Sequence, residues 1–195
     1  LGGFRHVFSI VLAVVLAGIW LGAFTAGRLE RRFGRALELF AVAQAVIAVS
    51  ALVLLGTYRV SAGAPYAVAL RSAIHVVGLP SFAMGFAFPL VNAYVQDRES
   101  AVGRRVGWLY LANTAGSVLG SVAAGFFLGP LLGAQASFAV LALIAVLAIV
   151  PLLASASDDT SRASSYKRAF VGASVPTLIA IAVWLALPDD WIARR

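Results

Sequence analysis

A run of residues without a single charge limits what this chain can fold into more than any other feature. Between residues 106 and 157 the sequence holds no Asp, Glu, Lys or Arg. A transmembrane helix needs about 20 consecutive apolar residues, so the run is long enough for two crossings of a bilayer. A soluble domain could not cover such a stretch with polar surface. The run therefore predicts an integral membrane protein.

The charged residues outside this run form short blocks that separate further apolar stretches. Charged residues make up 12% of the chain and hydrophobic residues 62%, whereas soluble domains carry about 25% charged residues. The spans between the blocks are interpreted as helices, because lipid allows only helices or closed barrels and no alternating strand pattern is visible. The predicted spans are residues 7–27, 39–58, 66–95, 106–128, 136–154 and 169–187. The predicted fold class is an all-α polytopic transmembrane helix bundle, forming a single domain over residues 1–195.

The basic residues are divided unevenly between the two ends of these spans. One set of connecting blocks holds ten of the 15 Lys and Arg residues, namely Arg28, Arg31, Arg32, Arg35, Arg98, Arg104, Arg105, Arg162, Lys167 and Arg168. The other set holds Arg5, Arg59, Arg71, Arg194 and Arg195. The excess of positive charge places residues 28–38, 97–105 and 158–168 in the cytoplasm. We expect a multi-pass protein of a bacterial-type inner membrane.

Several classes of function are disfavoured by composition. The net charge of +7 does not indicate nucleic-acid binding here, because the basic residues flank membrane spans. The lack of cysteine excludes disulfides, thiolate metal sites and cysteine nucleophiles. All eight Asp and Glu residues lie in or beside loops, and no glycine-rich loop follows a strand. We therefore predict no catalytic residue, cofactor site or metal site, and we do not expect this chain alone to be an enzyme.

Two ionisable residues fall within the irregular third span. An arginine at the bilayer centre costs about 2.5–3.5 kcal/mol on the insertion scale. Arg71 would lie only about 7.5 Å along a helix that begins at residue 66, so its side chain can reach the interface; the alternative is that it faces an internal cavity. His75 is expected to be a hydrogen-bonded interior residue, with a proton relay as the alternative. Pro80 and Pro89 are expected to kink the helix.

Small residues recur at every fourth position of the fourth span. One row is Ala112, Gly116, Gly120 and Ala124, and the next is Ser117, Ser121, Gly125 and Gly129. Small residues at this spacing let a neighbouring helix approach closely, and Gly18 and Gly22 repeat the pattern on the first span.

Asn113 and Thr114 lie beside these rows. An amide inside the membrane needs an interhelical partner, worth around 0.6 kcal/mol and up to 1–2 kcal/mol, although contact with a ligand is the alternative for Asn113. We expect Asn113, Thr114, Gly116 and Gly120 to be interior packing residues of a helix buried in the middle of the bundle.

Three strings suggest a family. They are "VGWLYLANTAGSVLGSVAAGFFLGPLLG" at residues 106–133, "MGFAFPL" at 84–90 and "FSIVLAVVLAGIWLGAFTAGRL" at 8–29. In this order they resemble the membrane domain of fused spermidine synthase-like proteins, which implies a polyamine aminopropyltransferase context. The soluble synthase domain of that family is expected to be absent from this chain. The resemblance then implies a domain that is non-catalytic by itself and acts as a membrane anchor or a helix-packing subunit.

A further string, "GRLERRFGRALEL" at residues 27–39, suggests an alternative. It resembles the loop between the second and third helices of major facilitator transporters, "G-x-L-A-D-R-x-G-R-K". Gly27, Leu29, Arg32, Gly34 and Arg35 match that pattern, and Arg31 replaces its Asp. This resemblance implies part of a major-facilitator-like secondary transporter. With either family, the expected partners are the lipid bilayer and other transmembrane helices or subunits, and not nucleic acid.

Overall fold

The computed structural model describes residues 2–57, 66–96, 102–150 and 160–186, which are almost entirely helical. The helices are α1 (Gly2–Phe33), α2 (Ala36–Thr57), α3 (Tyr66–Ala73), α4 (Leu79–Gln96), α5 (Val102–Val122), α6 (Gly133–Leu147) and α7 (Thr160–Leu185). A π-helical segment, Ile74–Gly78, joins α3 to α4, and another, Ala123–Leu132, joins α5 to α6. No strand occurs in these ranges, so the predicted all-α fold class is confirmed.

Four of the helical stretches are long and apolar enough to cross a membrane. They are His6–Phe33, Ala36–Val53, Leu70–Gln96 and Val106–Leu132. Two shorter apolar helices follow, Gln135–Leu147 and Phe170–Leu185. Each of these six stretches overlaps one of the six predicted spans, whose bounds stay a prediction. Residue 58, residues 151–154 and residue 187 of those spans lie outside the described ranges, as do parts of the predicted cytoplasmic blocks at 97–105 and 158–168.

Each of the two π-helical segments has a proline beside it or within it. Proline has no amide hydrogen, so it cannot bond to the carbonyl four residues earlier, and its ring clashes with that group. For Pro80 and Pro130 these carbonyls belong to Val76 and Phe126, which lie inside the π-helical segments. A π turn widens the helix locally, and the chain continues through each proline as a helix. α4 likewise continues through Pro89.

A tight turn joins α1 to α2. Residues 34 and 35 alone separate the two helices, and Gly34 adopts φ 61° with its amide donating to the carbonyl of Glu30 at 2.7 Å. This left-handed conformation after a helix is readily accessible only to glycine. The turn places the arginines of residues 28–35 together at one end of the bundle.

Helices α1 and α4 pack closely against each other through glycines. A Cβ atom on Gly18 would lie 2.8 Å from the Cβ of Ser81, and one on Gly22 would lie 2.7 Å from the amide nitrogen of Phe86. From α4, a Cβ on Gly85 would collide with the backbone of Ile19. The two helices run parallel, because residues 18 and 22 face successively later residues of α4. The close approach predicted for Gly18 and Gly22 is therefore found here.

α2 lies at the centre of the bundle and contacts α4, α6 and α7. Near the α1–α2 turn, one buried cluster contains Ala26, Phe40, Ala41, Ala43, Ala87, Leu90, Ile149 and Ala173. At the opposite end of α2, a second cluster contains Ala48, Leu52, Ala139, Ala142 and Trp184. The core of the described chain is thus built by α1, α2, α4, α6 and α7.

The prediction that the fourth span is buried in the middle of the bundle is wrong for the described chain. α5 packs on α4 near its start, where the rings of Phe88 and Tyr110 meet edge to face at 5.2 Å. Beyond that contact every residue from 110 to 122 is exposed. The physical reason is that α2 and α4 already fill the centre, and the glycine contact that brings two helices together is made by α1 with α4.

Candidate functional site

The six residues singled out from the sequence all lie on the surface of the described chain. Arg71 is exposed in the last turn of α3, and His75 is exposed in the π-helical segment that follows. Asn113, Thr114, Gly116 and Gly120 are exposed along α5. Added Cβ atoms on either glycine would meet nothing within 4 Å. Their predicted contact with another helix stays a prediction, and it concerns a helix outside the described residues.

The hydroxyl groups of α5 bond to their own helix. Thr114 donates to the carbonyl of Tyr110 at 2.9 Å, Ser117 to that of Asn113 at 2.8 Å and Ser121 to that of Ser117 at 2.7 Å. Such bonds satisfy a hydroxyl without a partner from another helix. The small-residue face of α5 is consequently smooth, and its hydroxyls are already paired.

Asn113 also borders a cavity that other helices complete. This cavity has a volume of about 570 Å³, within the range of about 300–1,000 Å³ that is common for small-molecule sites. It lies between α2, α4, α5 and α6, and we call it the amide cavity. Its lining residues are Phe40, Gln44, Ile47, Ala48, Ala51, Met84, Ala87, Phe88, Val91, Leu109, Ala112, Asn113, Phe138, Leu141, Ala142, Ile144, Ala145 and Ala148.

The chemistry of the amide cavity comes from two side chains. Gln44 of α2 and Asn113 of α5 are polar, and every other described lining residue is apolar. A side-chain amide both donates and accepts hydrogen bonds. A charged molecule would meet no opposite charge there, since no described lining residue is charged. The cavity therefore suits an uncharged, largely apolar molecule with a few hydrogen-bonding groups.

Sequence reasoning identified Asn113 but missed Gln44. The signal was available, because Gln44 is an amide within an otherwise apolar span just as Asn113 is. Its role only becomes apparent when α2 and α5 are placed on two sides of one cavity. Neither Arg71 nor His75 lines this cavity.

A second cavity has fewer polar lining residues than the amide cavity. It has a volume of about 550 Å³ and lies along α2, beside Leu79 of α4 and Gly172 of α7. Among its described lining residues Ser50 is the polar one, and its hydroxyl donates to the carbonyl of Ile47 at 3.4 Å. This surface thus offers an apolar contact but no polar group that can orient a ligand.

The described residues contain no group of three or more His, Cys, Asp or Glu side chains that could hold a metal ion. The sequence-based expectations of no cofactor and no catalytic residue stay predictions.

Comparison with known proteins places the chain in a family. A family model described as the Major Facilitator Superfamily matches residues 1–191. No curated protein and no solved structure matches, and nothing in these comparisons supports the resemblance to spermidine synthase-like proteins. The match extends over all seven described helices, including α5 and both π-helical segments. The chain therefore belongs to the Major Facilitator Superfamily.

Proposed function

We propose that this chain forms part of a secondary transporter and that its amide cavity binds the transported molecule. The observation that carries the proposal is the family match over residues 1–191, which favours the transporter alternative over the synthase-like interpretation. The cavity between α2, α4, α5 and α6 supports it, because a transporter needs a site among its helices that can hold a small molecule.

The proposed substrate is an uncharged molecule with a large apolar surface. The cavity offers aromatic contacts from Phe40, Phe88 and Phe138, and amides from Gln44 and Asn113. Apolar contact would supply most of the binding free energy. The two amides on facing helices would orient the molecule through its hydrogen-bonding groups.

Transport by the intact protein in liposomes tests this proposal. Proteoliposomes with an imposed pH gradient would be incubated with a mixture of small neutral and charged metabolites, and their contents analysed by mass spectrometry. We expect one or a few neutral compounds to accumulate, and Asn113→Leu to lower their uptake. The control is Gln96→Leu, which removes an exposed amide from the end of α4. Accumulation of charged compounds alone, or equal uptake by Asn113→Leu, contradicts the proposal.

A second candidate is a helix-packing subunit or membrane anchor within a larger assembly. The open face of α5 around Gly116 and Gly120 favours it, because small residues in membranes usually mark a place for another helix. Stable co-purification with other membrane subunits would support this function. A soluble aminopropyltransferase domain encoded in the same gene would favour the anchor of a synthase-like protein, whereas a second set of six helices would favour the transporter.

We further propose that the protein resides in a bacterial-type inner membrane with residues 28–38, 97–105 and 158–168 in the cytoplasm. The unequal distribution of Lys and Arg between the two sets of connecting blocks supports this orientation.

A further inference from the structure

The turn between α1 and α2 concentrates positive charge at one end of the bundle. Residues 28–35 hold Arg28, Arg31, Arg32 and Arg35, together with one acid, Glu30. All four arginine side chains are exposed. None of these four arginines lines the amide cavity, so the binding of a neutral substrate there does not involve them.

Little of this charge is neutralised within the described chain. Arg35, with 67% of its side chain exposed, has the carboxylate of Glu38 at 3.7 Å. In the described ranges no carboxylate lies within ion-pair distance of Arg28, Arg31 or Arg32. Because Glu38 already pairs with Arg35, none of these three guanidinium groups has a carboxylate partner among the described residues.

Exposed aromatic rings lie on the same face of α1 as these arginines, next to Arg28. The guanidinium carbon of Arg28 lies 3.7 Å from the centre of the Phe24 ring, which stacks on Trp20 at 5.7 Å. Trp20 and Phe24 are both exposed. At about 100° per residue, Trp20, Phe24, Arg28, Arg31 and Arg32 fall within about 120° of one another around the helix.

These five residues form a strip along α1 that begins with apolar side chains and ends with cationic ones. Trp20 and Phe24 form its apolar part, and the arginines form its end near the turn. Aromatic rings followed by arginines are typical of the level where the hydrocarbon of a bilayer meets the lipid headgroups. Arginine is suited to phosphate because its planar fork can donate two hydrogen bonds to two phosphate oxygens.

We propose that Arg28, Arg31 and Arg32 bind the phosphate of an anionic phospholipid whose acyl chains lie along Phe24 and Trp20. A free phosphate ion would use the guanidinium groups but not the apolar strip that leads to them. A lipid accounts for both parts, because its phosphate and its acyl chains belong to one molecule. The phosphate can contact the arginines while the acyl chains contact the aromatic rings. Clusters of basic residues beside a membrane span generally attract anionic lipids.

Lipid binding to the purified full chain in a neutral detergent tests the proposal. Native mass spectrometry would compare phosphatidylglycerol with phosphatidylcholine of the same acyl chains. We expect phosphatidylglycerol to bind at least tenfold more tightly, and the triple variant Arg28→Gln, Arg31→Gln, Arg32→Gln to reduce its affinity to that of phosphatidylcholine. Phe24→Ala should also weaken phosphatidylglycerol binding, since the acyl chains lose a contact.

A matched pair of single variants separates the proposed site from general positive charge. Arg31→Gln removes one charge from the turn, and Arg104→Gln removes one from an exposed position of α5 outside it. We expect Arg31→Gln to weaken phosphatidylglycerol binding several-fold and Arg104→Gln to leave it unchanged. If the triple variant does not fold, the difference in phosphatidylglycerol binding between Arg31→Gln and Arg104→Gln tests the proposal.

Three results would overturn the proposal. Equal effects of Arg31→Gln and Arg104→Gln would show that the attraction is diffuse. Equal binding of phosphatidylcholine and phosphatidylglycerol to the unmodified chain would show that the arginines do not recognise the headgroup charge. Displacement of phosphatidylglycerol by inorganic phosphate at equal concentration would show that the site recognises the free ion rather than the lipid.

Discussion

Gln135 and Trp184 exchange two hydrogen bonds across the interface of α6 and α7. The side-chain amide of Gln135 donates to the carbonyl of Trp184 at 2.8 Å, and the indole N–H of Trp184 donates to the carbonyl of Gln135 at 2.8 Å. Trp184 is only 3% exposed, and its ring meets that of Phe138 edge to face at 6.4 Å. This pair ties the start of α6 to the end of α7, at the end of the bundle far from the arginine turn.

The first prediction follows from this exchange. Trp184→Phe keeps an aromatic ring but removes the indole N–H, so that one of the two hydrogen bonds between α6 and α7 is lost and the smaller ring leaves part of a buried space unfilled. We expect the free energy of unfolding to fall by about 1–3 kcal/mol, measured by denaturation in mixed micelles. The matched control is Trp108→Phe, because Trp108 is 66% exposed. Equal effects of the two substitutions would mean that the Trp184 hydrogen bond does not stabilise the fold.

The second prediction compares two glycines that share a sequence pattern. At Gly22 a methyl group would overlap the backbone of Phe82 and Phe86, whereas at Gly116 it would meet nothing within 4 Å. Gly22→Ala should therefore destabilise the chain by about 1–3 kcal/mol through overpacking. Gly116→Ala should stabilise the isolated chain by up to about 1 kcal/mol, because alanine favours the helix.

Thermal unfolding of both variants in detergent checks this difference. An intact assembly offers a further measurement on α5. If another helix packs on Gly116 and Gly120 there, Gly120→Leu should disrupt the assembly, and Leu141→Ala should disrupt it less. A Gly120→Leu assembly as stable as the unmodified one would mean that this face of α5 meets lipid.

The contrast between these glycines shows what the sequence could predict. The positions of the helices follow from the uncharged runs and the charged blocks, since the length of a span is a physical requirement of the bilayer. The rows at Gly18 and Gly22 and at Gly116 and Gly120 look alike in sequence, but only the former contacts another helix of the described chain. Spacing reveals that a helix has a smooth face and does not reveal which neighbour covers it.

The polar contacts were harder to predict for a related reason. Gln135 and Trp184 lie 49 positions apart, and each is an ordinary residue of its own span until α6 and α7 are brought side by side. Gln44 and Asn113 border one cavity only because α2 and α5 lie on two sides of it. The residue types were visible in the sequence, but their pairing depends on the order in which the helices pack.

The third prediction concerns the volume of the amide cavity. Ala112 of α5 lines it, whereas Ala13 of α1 lies outside it and is also exposed. Ala112→Phe should fill part of the cavity and reduce substrate uptake by at least tenfold, with little change in stability. Ala13→Phe adds the same group elsewhere and should leave uptake unchanged. If both variants transport equally well, the substrate does not occupy the amide cavity.

The last prediction tests the orientation of the bundle. The chain contains no cysteine, so a single introduced cysteine can be labelled without background. Phe33 lies beside the arginine turn. Leu132 ends the π-helical segment after α5, and the stretch Val106–Leu132 separates it from the basic block at residues 97–105. Both side chains are exposed.

Because the arginine turn belongs to the more basic set of connecting blocks, it should face the cytoplasm. A membrane-impermeant maleimide added to intact cells should therefore label Leu132→Cys but reach Phe33→Cys only after lysis, as read by the mass shift of the purified protein. Equal labelling of the two variants from outside would contradict the predicted topology, and the reverse pattern would show that the bundle has the opposite orientation.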